Sequence, residues 1–140
     1  MRLEKGYRVW GTDITAETNP YEAGLGFCVK LDKPGGFEGR DMLRALKSNG
    51  PSRRLMAIVL DDPRAVVLGN EPVRFDGRVV GRVTSGGFGY TTGASIAYAY
   101  LPVGVVPPAD VEIDLFGDWE TAVVTPQPLF DPKSDRVHGR

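Results

Sequence analysis

The sequence is poor in the residue types that most often build catalytic or metal centres. It has one cysteine, Cys28, and one histidine, His138, in 140 residues. A zinc site needs several such ligands together, and a Ser-His-Asp arrangement needs a histidine beside its nucleophile, so both kinds of site are disfavoured. A single cysteine cannot form an internal disulfide, which suits a reducing compartment. We expect Cys28 to be a small buried hydrophobic residue and the chain to hold no metal.

Neither a basic excess nor a long apolar run is present. The chain has 17 Lys and Arg against 18 Asp and Glu, a net charge of -1 and a pI near 5.8. That balance argues against binding a phosphate backbone. No apolar run reaches the roughly 18 residues of a membrane span, and the first six residues lack the apolar segment of a secretory signal. We therefore expect a cytoplasmic protein with neither a nucleic-acid nor a membrane partner.

Glycine and proline, in contrast, are abundant, with 18 Gly and 11 Pro spread between apolar runs. Such a distribution is typical of many turns between short strands. The cluster at residues 48–52 combines Ser, Asn, Gly and Pro, and it divides the chain into two parts.

The first part mixes helical and extended patterns. Apolar residues alternate over residues 23–31, which predicts a strand with one buried face, and residues 39–47 have the spacing of a short helix. Residues 2–6 resemble the last turn of a helix with its terminal glycine, Gly6. The body of that helix is absent, so we expect the sequence to begin inside a fold.

The second part, residues 53–125, has the pattern of an all-β unit. Asp76-Gly77 is a two-residue hairpin signal of the type I′ kind, and Gly117-Asp118 is a second hairpin candidate. With residues 65–68 included, six or seven short strands are predicted. The fold class is therefore mainly β: a small Greek-key or jelly-roll-like barrel of six to seven strands, preceded by an α+β fragment of a truncated domain. The predicted strands are residues 53–60, 65–68, 72–75, 78–85, 95–101, 111–116 and 119–124.

Two local patterns suggest chemistry that their context does not favour. The glycine-rich residues 86–93 lack the Gly-Lys-Ser/Thr of a phosphate loop and precede a strand, so we expect a loop between barrel strands. Asp61 and Asp62 stand beside Pro63, which favours a solvated turn over a pair of catalytic carboxylates.

A third pattern, near the start of the chain, mixes charged and aromatic residues. Such a set could line a pocket for a planar, polar ligand, with aromatic rings for stacking and arginine as a bidentate donor. From the residue types alone, a packed surface with solvated charges is the favoured interpretation. The set comprises Arg2, Tyr7, Arg8, Trp10, Asp13, Tyr21 and Glu22.

Five stretches of the sequence resemble, in chain order, motifs of the glycine cleavage T-protein family. Residues 2–13 resemble its R-L-E-x-G…G-x-D stretch, and residues 19–26 its T-P-x-E-A-G-L-x segment. Residues 37–43 are similar to its F-x-G-K/R-x-x-L helix start. Residues 77–87 match the G-x-x-I/V-G-x-V/I-T-S-G-x run of its C-terminal barrel, and residues 96–100 resemble its x-I-A-x-A/G-Y strand.

Two further stretches, residues 5–10 and 129–133, look closer to one branch of that family. This branch comprises the flavin-dependent dimethylglycine and sarcosine dehydrogenases, which carry a T-protein-like half behind an FAD domain. The resemblance divides the chain into a C-terminal remnant of the folate-binding domain (1–50), the C-terminal β-barrel domain (51–130) and a loose tail (131–140).

The resemblance implies a tetrahydrofolate-dependent module. Folate accepts a one-carbon unit as an amine-bound carbon is released, giving 5,10-methylenetetrahydrofolate. The family's catalytic aspartate belongs to its N-terminal part, so no residue here is predicted to be catalytic. Arg2 matches a ligand-contacting arginine, which could bind folate oxygens bidentately, and Tyr7 is the second candidate. FAD is implied only if an upstream half exists, and the implied partner is the missing N-terminal folate domain or a homologous subunit.

Three interpretations of function follow. The first is the C-terminal portion of a folate-dependent aminomethyltransferase-like module that is inactive alone. The second is a non-catalytic barrel that binds a separately encoded folate or FAD domain. The third is an independent enzyme with a carboxylate-only site, against which the lack of a usable histidine, metal cluster or phosphate loop argues.

Overall fold

The computed structural model describes residues 2–126 and 128–139. Within these residues it contains one α-helix, one short 3-10 turn at Gly26–Cys28, and six strands. The helix, α1, spans Arg40–Asn49. The strands are β1 (Arg53–Leu60), β2 (Pro72–Phe75), β3 (Arg78–Gly89), β4 (Ala94–Pro102), β5 (Ala109–Leu115) and β6 (Asp118–Thr125).

The six strands form a closed antiparallel barrel in the order β1-β4-β3-β2-β5-β6. Strands β2, β3 and β4 follow one another as a meander, and β1 lies beside β4 after a long connection, which is the Greek-key arrangement. Pairing of β1 with β6 closes the barrel and leaves no open sheet edge. The predicted fold class, a mainly β chain with a small barrel, is confirmed.

The barrel core is built from the inward-facing residues of every strand. Ile58 of β1 and Ile113 of β5 are fully buried, as are Val73 of β2 and Val124 of β6. Burial alternates over the second half of β6, as expected for a strand with one face inside, whereas the adjacent residues Ala57 and Ile58 of β1 are both buried. Strand β4 is buried on nearly every residue from Ser95 to Ala99, because the N-terminal segment covers its outer face.

Two tight hairpins connect barrel strands. Asp76 and Gly77 have φ angles of 49° and 73°, so the predicted type I′ turn between β2 and β3 is confirmed. The second turn was predicted one residue too late. Leu115 pairs with Asp118, which places the positive φ angles at Phe116 (58°) and Gly117 (100°). Glycine therefore occupies the second turn position in both hairpins.

The strand predicted over residues 23–31 is wrong. Gly24 adopts a left-handed φ of 69°, and the Cys28 N–H donates to the Leu25 carbonyl at 3.0 Å, so the backbone turns instead of extending. Phe27 is 73% exposed and Cys28 is also exposed, so the expectation of a buried cysteine is wrong as well. The α+β character expected for residues 1–50 is reduced to turns and α1.

Two predictions in the barrel also need correction. Residues 65–68 form no strand: burial alternates there, with Val67 buried, but no neighbouring strand pairs with them. Residues 86–89 were expected in a loop and instead extend β3. Gly86 explains both findings, because a Cβ there would lie 2.7 Å from the Val67 Cβ. Glycine lets the segment around Val67 pass directly over the strand.

The two helical features were predicted correctly. The Gly6 N–H donates to the Leu3 carbonyl (3.1 Å) and the Tyr7 N–H to the Arg2 carbonyl (2.9 Å), the pattern that ends a helix at a left-handed glycine. Helix α1 begins after Gly39 and ends before Gly50, two residues later than predicted. None of its residues is buried.

The end of the chain returns to this N-terminal turn. The Phe130 N–H donates to the Glu4 carbonyl at 3.0 Å, and Lys5 Nζ lies 3.1 Å from Asp131 Oδ2. Residue 131 is therefore held by an ion pair with the first turn. The boundaries predicted at residues 50 and 130 stay predictions.

Candidate functional site

The candidate site lies where the N-terminal segment, residues 2–18, crosses strands β3 and β4. Its centre is the carboxylate of Asp13, which is 2% exposed. Oδ2 accepts hydrogen bonds from Arg2 Nη1 at 3.0 Å and from the Val9 N–H at 2.9 Å. Oδ1 accepts from the Thr84 hydroxyl at 2.7 Å and the Ser85 hydroxyl at 2.6 Å. One carboxylate thus joins Arg2, the segment's own backbone and β3.

Asp13 is held in its charged form. Burial alone would raise the pKa of its carboxyl, because a low-dielectric environment disfavours charge. The hydrogen bonds from Ser85, Thr84 and Val9, together with the positive charge of Arg2, outweigh that effect and place the pKa below its ordinary value. The pair with Arg2 is therefore ionic at neutral pH.

Among the described residues, the partners of Arg2 all contact one of its nitrogens, Nη1. Nη1 donates to Asp13 and to the Tyr7 carbonyl, the latter at 3.2 Å. Nε and Nη2 make no hydrogen bond with any described residue, and the side chain is 37% exposed. A guanidinium held in this way still presents N–H donors that match two oxygens of a planar group.

Exposed aromatic residues accompany Arg2 on the same segment. Tyr7 is 58% exposed and Trp10 is 70% exposed. Trp10 is held by its bridge to Ile14, where the Gly11 N–H donates to the Ile14 carbonyl at 2.8 Å. An exposed aromatic ring can stack on a flat ligand, and Arg2 Nη1 contacts the carbonyl of Tyr7. The structure thus brings together both predicted cofactor-binding residues, Arg2 and Tyr7.

Other members of the predicted polar set, Arg8, Glu22 and Tyr21, make contacts within the fold. Arg8 donates to the Ala23 carbonyl at 2.9 Å and to the Gly6 carbonyl, so it links two turns. Glu22 contacts Arg53 of β1 at 3.4 Å. The Tyr21 ring packs where a Cβ at Gly26 would lie.

Several residues of the site were missed by the sequence analysis. Glu4 is 1% exposed, and its Oε1 accepts from the Thr91 N–H (2.6 Å) and the Thr92 N–H (2.9 Å), which fixes the turn between β3 and β4. The Tyr98 hydroxyl donates to the Leu3 carbonyl at 2.7 Å, and burial raises the pKa of Tyr98 to about 12. The motif letters contain Glu4, but nothing in its spacing shows which backbone groups it binds.

A groove of about 810 Å³ borders Asp13 and is lined by residues between 12 and 18 and by residues of β1, β2, β3 and β4. Tyr100 lines it and donates to the Asp13 carbonyl at 2.8 Å, while Arg53 lies 5.0 Å from the centre of the Tyr100 ring. The hydroxyl groups of this groove, together with its positively and negatively charged side chains, could bind a polar ligand. Among the lining residues are Thr12, Thr15, Ser52, Arg82 and Pro102.

In residues 2–126 and 128–139, no three His, Cys, Asp or Glu side chains come close enough together to hold a metal ion. None of the helices described there has the length and apolar character needed to span a membrane.

Comparisons with known proteins match both parts of the chain. A family model described as the glycine cleavage T-protein C-terminal barrel domain matches residues 53–131, and one described as the GCVT N-terminal domain matches residues 1–33. Mitochondrial dimethylglycine dehydrogenase of Homo sapiens is 41% identical over an alignment of 140 positions that covers 98% of this chain and 16% of that protein. An aminomethyltransferase of Symbiobacterium thermophilum is 40% identical over 131 residues, 93% of this chain and 35% of that protein.

The fold matches a solved structure as well. The crystal structure of glycine cleavage system aminomethyltransferase T from Bartonella henselae superposes with a TM-score of 0.85 at 29% identity, covering 94% of this chain and 37% of that one. The chain therefore spans well under half the length of each of these relatives.

Proposed function

Because this chain belongs to the glycine cleavage T-protein family, we propose that it forms the C-terminal portion of a tetrahydrofolate-dependent aminomethyltransferase-like module. Family members use tetrahydrofolate, and the dehydrogenases among them also use FAD. The observation that supports the proposal is the partly exposed Arg2, whose Nη1 contacts Asp13 and the Tyr7 carbonyl, while its Nε and Nη2 bind no described residue. The reaction is transfer of a one-carbon unit from an amine to folate.

The residues present fit part of a folate contact. The remaining donors of Arg2 suit a carboxylate or a ring carbonyl, and the exposed face of Tyr7 suits a flat ring. Tetrahydrofolate supplies the amine nitrogens that accept the one-carbon unit. Arg2 and Tyr7 bind and orient this substrate, and neither moves a proton.

The remaining parts of the module come from elsewhere in this proposal. A partner, either the N-terminal folate domain or a homologous subunit, supplies the catalytic aspartate and most of the folate pocket. FAD enters only where a flavin half is joined to the module. The alternative, a free-standing barrel without a catalytic role, is not favoured, because both family models match this one chain in order.

An exchange experiment tests the proposal. Residues 1–140 replace the matching stretch of Homo sapiens dimethylglycine dehydrogenase, with which they are 41% identical. In this exchanged enzyme, oxidation of dimethylglycine is followed separately from the fate of the released carbon. Carbon transferred to tetrahydrofolate is measured as 5,10-methylenetetrahydrofolate, and carbon lost to water is measured as formaldehyde.

We expect the exchanged enzyme to oxidise dimethylglycine at the host's rate and to transfer the carbon to tetrahydrofolate. The 140-residue chain alone should show no turnover. Replacing Arg2 by alanine in the exchanged enzyme should raise KM for tetrahydrofolate about tenfold, because a charge-assisted hydrogen bond is lost. Normal oxidation with no more transfer than a host lacking the whole stretch would refute the proposal.

A further inference from the structure

We propose that Asp13 is a positioning residue for the folate contact, and that strand β3 sets the orientation of Arg2 through it. This inference rests on the proposed function, since it assigns Arg2 to folate. Asp13 itself does not face the ligand: it is buried beneath Arg2, between the N-terminal segment and the barrel.

The Asp13 carboxylate has one defined orientation. Each oxygen accepts two hydrogen bonds, Oδ1 from the Thr84 and Ser85 hydroxyls and Oδ2 from Arg2 and the Val9 N–H. Rotating the carboxylate would break bonds on both sides at once. Because Thr84 and Ser85 are neighbours in a strand that pairs with β4, the barrel defines where Oδ2 lies.

Oδ2 of Asp13 in turn defines where the Arg2 guanidinium lies. Nη1 of Arg2 is held between Asp13 Oδ2 and the Tyr7 carbonyl, at 3.0 and 3.2 Å. Two contacts at one nitrogen restrict rotation of a long side chain that would otherwise have to be ordered when ligand binds. That ordering typically weakens binding by about three- to tenfold.

A carboxylate in this position can also weaken folate binding. The direction in which KM for tetrahydrofolate changes therefore distinguishes the two effects. A carboxylate next to Arg2 neutralises part of its charge and competes with an anionic ligand. If competition were dominant, removing the charge of Asp13 would strengthen folate binding. If positioning is dominant, as we propose, removing it weakens binding.

The test uses Asp13→Asn in the exchanged enzyme. Asparagine keeps the size of the side chain and an oxygen for Arg2 and Val9, while the Thr84 and Ser85 hydroxyls can rotate to accept from its amide nitrogen. We expect KM for tetrahydrofolate to rise about three- to tenfold, with the rate of dimethylglycine oxidation unchanged. Combining it with Arg2→Ala should add nothing further, since Asp13 is proposed to act on folate only through Arg2.

Two variants on β3 keep the test meaningful if Asp13→Asn folds poorly. Thr84→Val and Ser85→Ala each remove one donor to Oδ1 without touching Arg2, and each should raise the same KM about twofold. Thr121→Val is the matched control, because its hydroxyl also donates to an aspartate, Asp61, but Thr121 lies in β6 and Asp61 directly follows β1. It should leave KM unchanged.

The outcomes separate the two proposals. If Arg2→Ala leaves KM for tetrahydrofolate unchanged, the folate contact itself is wrong. If Arg2→Ala raises KM while Asp13→Asn and the β3 variants leave it unchanged or lower it, Arg2 binds folate and the positioning role is refuted. An effect of Asp13→Asn that adds fully to that of Arg2→Ala would equally refute it, since a merely structural role is independent of Arg2.

Discussion

At the scale of single residues, the Asp13 carboxylate is a buried group that joins the N-terminal segment to strand β3. It is buried, it accepts four hydrogen bonds, and its partners come from both the segment and β3. A buried carboxylate is costly to desolvate, and full hydrogen bonding is what makes it tolerable. Its charge should therefore contribute to stability in a pH-dependent way.

We predict that acid destabilises the wild-type chain more than the Asp13→Asn variant. The pKa of Asp13 is lowered by folding, so its contribution is complete above the unfolded value of about 3.9 and is lost as pH falls through the lower folded value. Denaturant unfolding at pH values from 7 to 3 measures this. The difference in free energy of unfolding should shrink below pH 4.

Asp62→Asn is the control for this prediction. The pKa of Asp62 is also lowered, by Arg64, but that pair lies exposed in the turn after β1. Asp62→Asn should change the free energy of unfolding at acid pH little, because solvent screens an exposed pair. Parallel pH curves for the wild type and Asp13→Asn would contradict the assignment.

At the scale of elements, the hairpin between β2 and β3 depends on one glycine. Gly77 has a φ of 73° and open space around the position of a Cβ, so the cost of any side chain there is in the backbone. We predict that Gly77→Ala lowers the free energy of unfolding by about 1 kcal/mol. Urea unfolding monitored by circular dichroism measures the change.

Gly104 provides a matched comparison. A Cβ at this position would also meet nothing within 4 Å, yet the φ of Gly104 lies outside the left-handed region. Gly104→Ala should therefore be neutral, or stabilising by up to about 1 kcal/mol through the unfolded chain. Equal losses at both positions would show that the turn conformation is not the cause.

The same elements show what the sequence can and cannot predict. Alternation of Ile96, Tyr98 and Tyr100 predicts β4, and Asp-Gly predicts the β2–β3 turn, because strand period and turn type are local properties. Residues 23–31 alternate equally well and yet fold into turns, since Gly24 takes a left-handed conformation. The pattern shows which residues are apolar. Whether the segment forms a strand or a turn depends on the hydrogen-bond partners of its backbone.

The candidate site is less predictable for a related reason. Resemblance to a family motif is enough to single out Arg2 and Tyr7, but the role of Asp13 depends on Thr84, which lies 71 residues further along the chain. Glu4 likewise binds the backbone of Thr91, 87 residues away. No spacing rule connects such positions, and only the path of β3 beneath the N-terminal segment brings them together.

At the scale of the whole molecule, stability is concentrated in the barrel and α1 stands outside it. Ile113 is fully buried in the core, whereas no residue of α1 is buried and Met42 is 68% exposed. We predict that Ile113→Ala lowers the free energy of unfolding by about 2–5 kcal/mol. Met42→Ala should change it by less than about 0.5 kcal/mol.

Both values come from denaturant unfolding of the 140-residue chain. A loss of several kcal/mol at Met42 would mean that α1 packs on the barrel after all. In the exchanged enzyme Met42→Ala should become costly if the partner domain covers α1, which separates an exposed helix from an interface helix.

Closure of the barrel has a consequence for how the chain reaches this state. Strand β1 pairs with β6, so Ala57 can pair with Thr125 only after all six strands have been synthesised. Contacts between such distant positions are slow to form, because the chain loses the entropy of a large loop before the pairing stabilises it. During synthesis, one edge of β1 stays unpaired until β6 has left the ribosome. In that interval the unpaired edge is exposed to association with other chains.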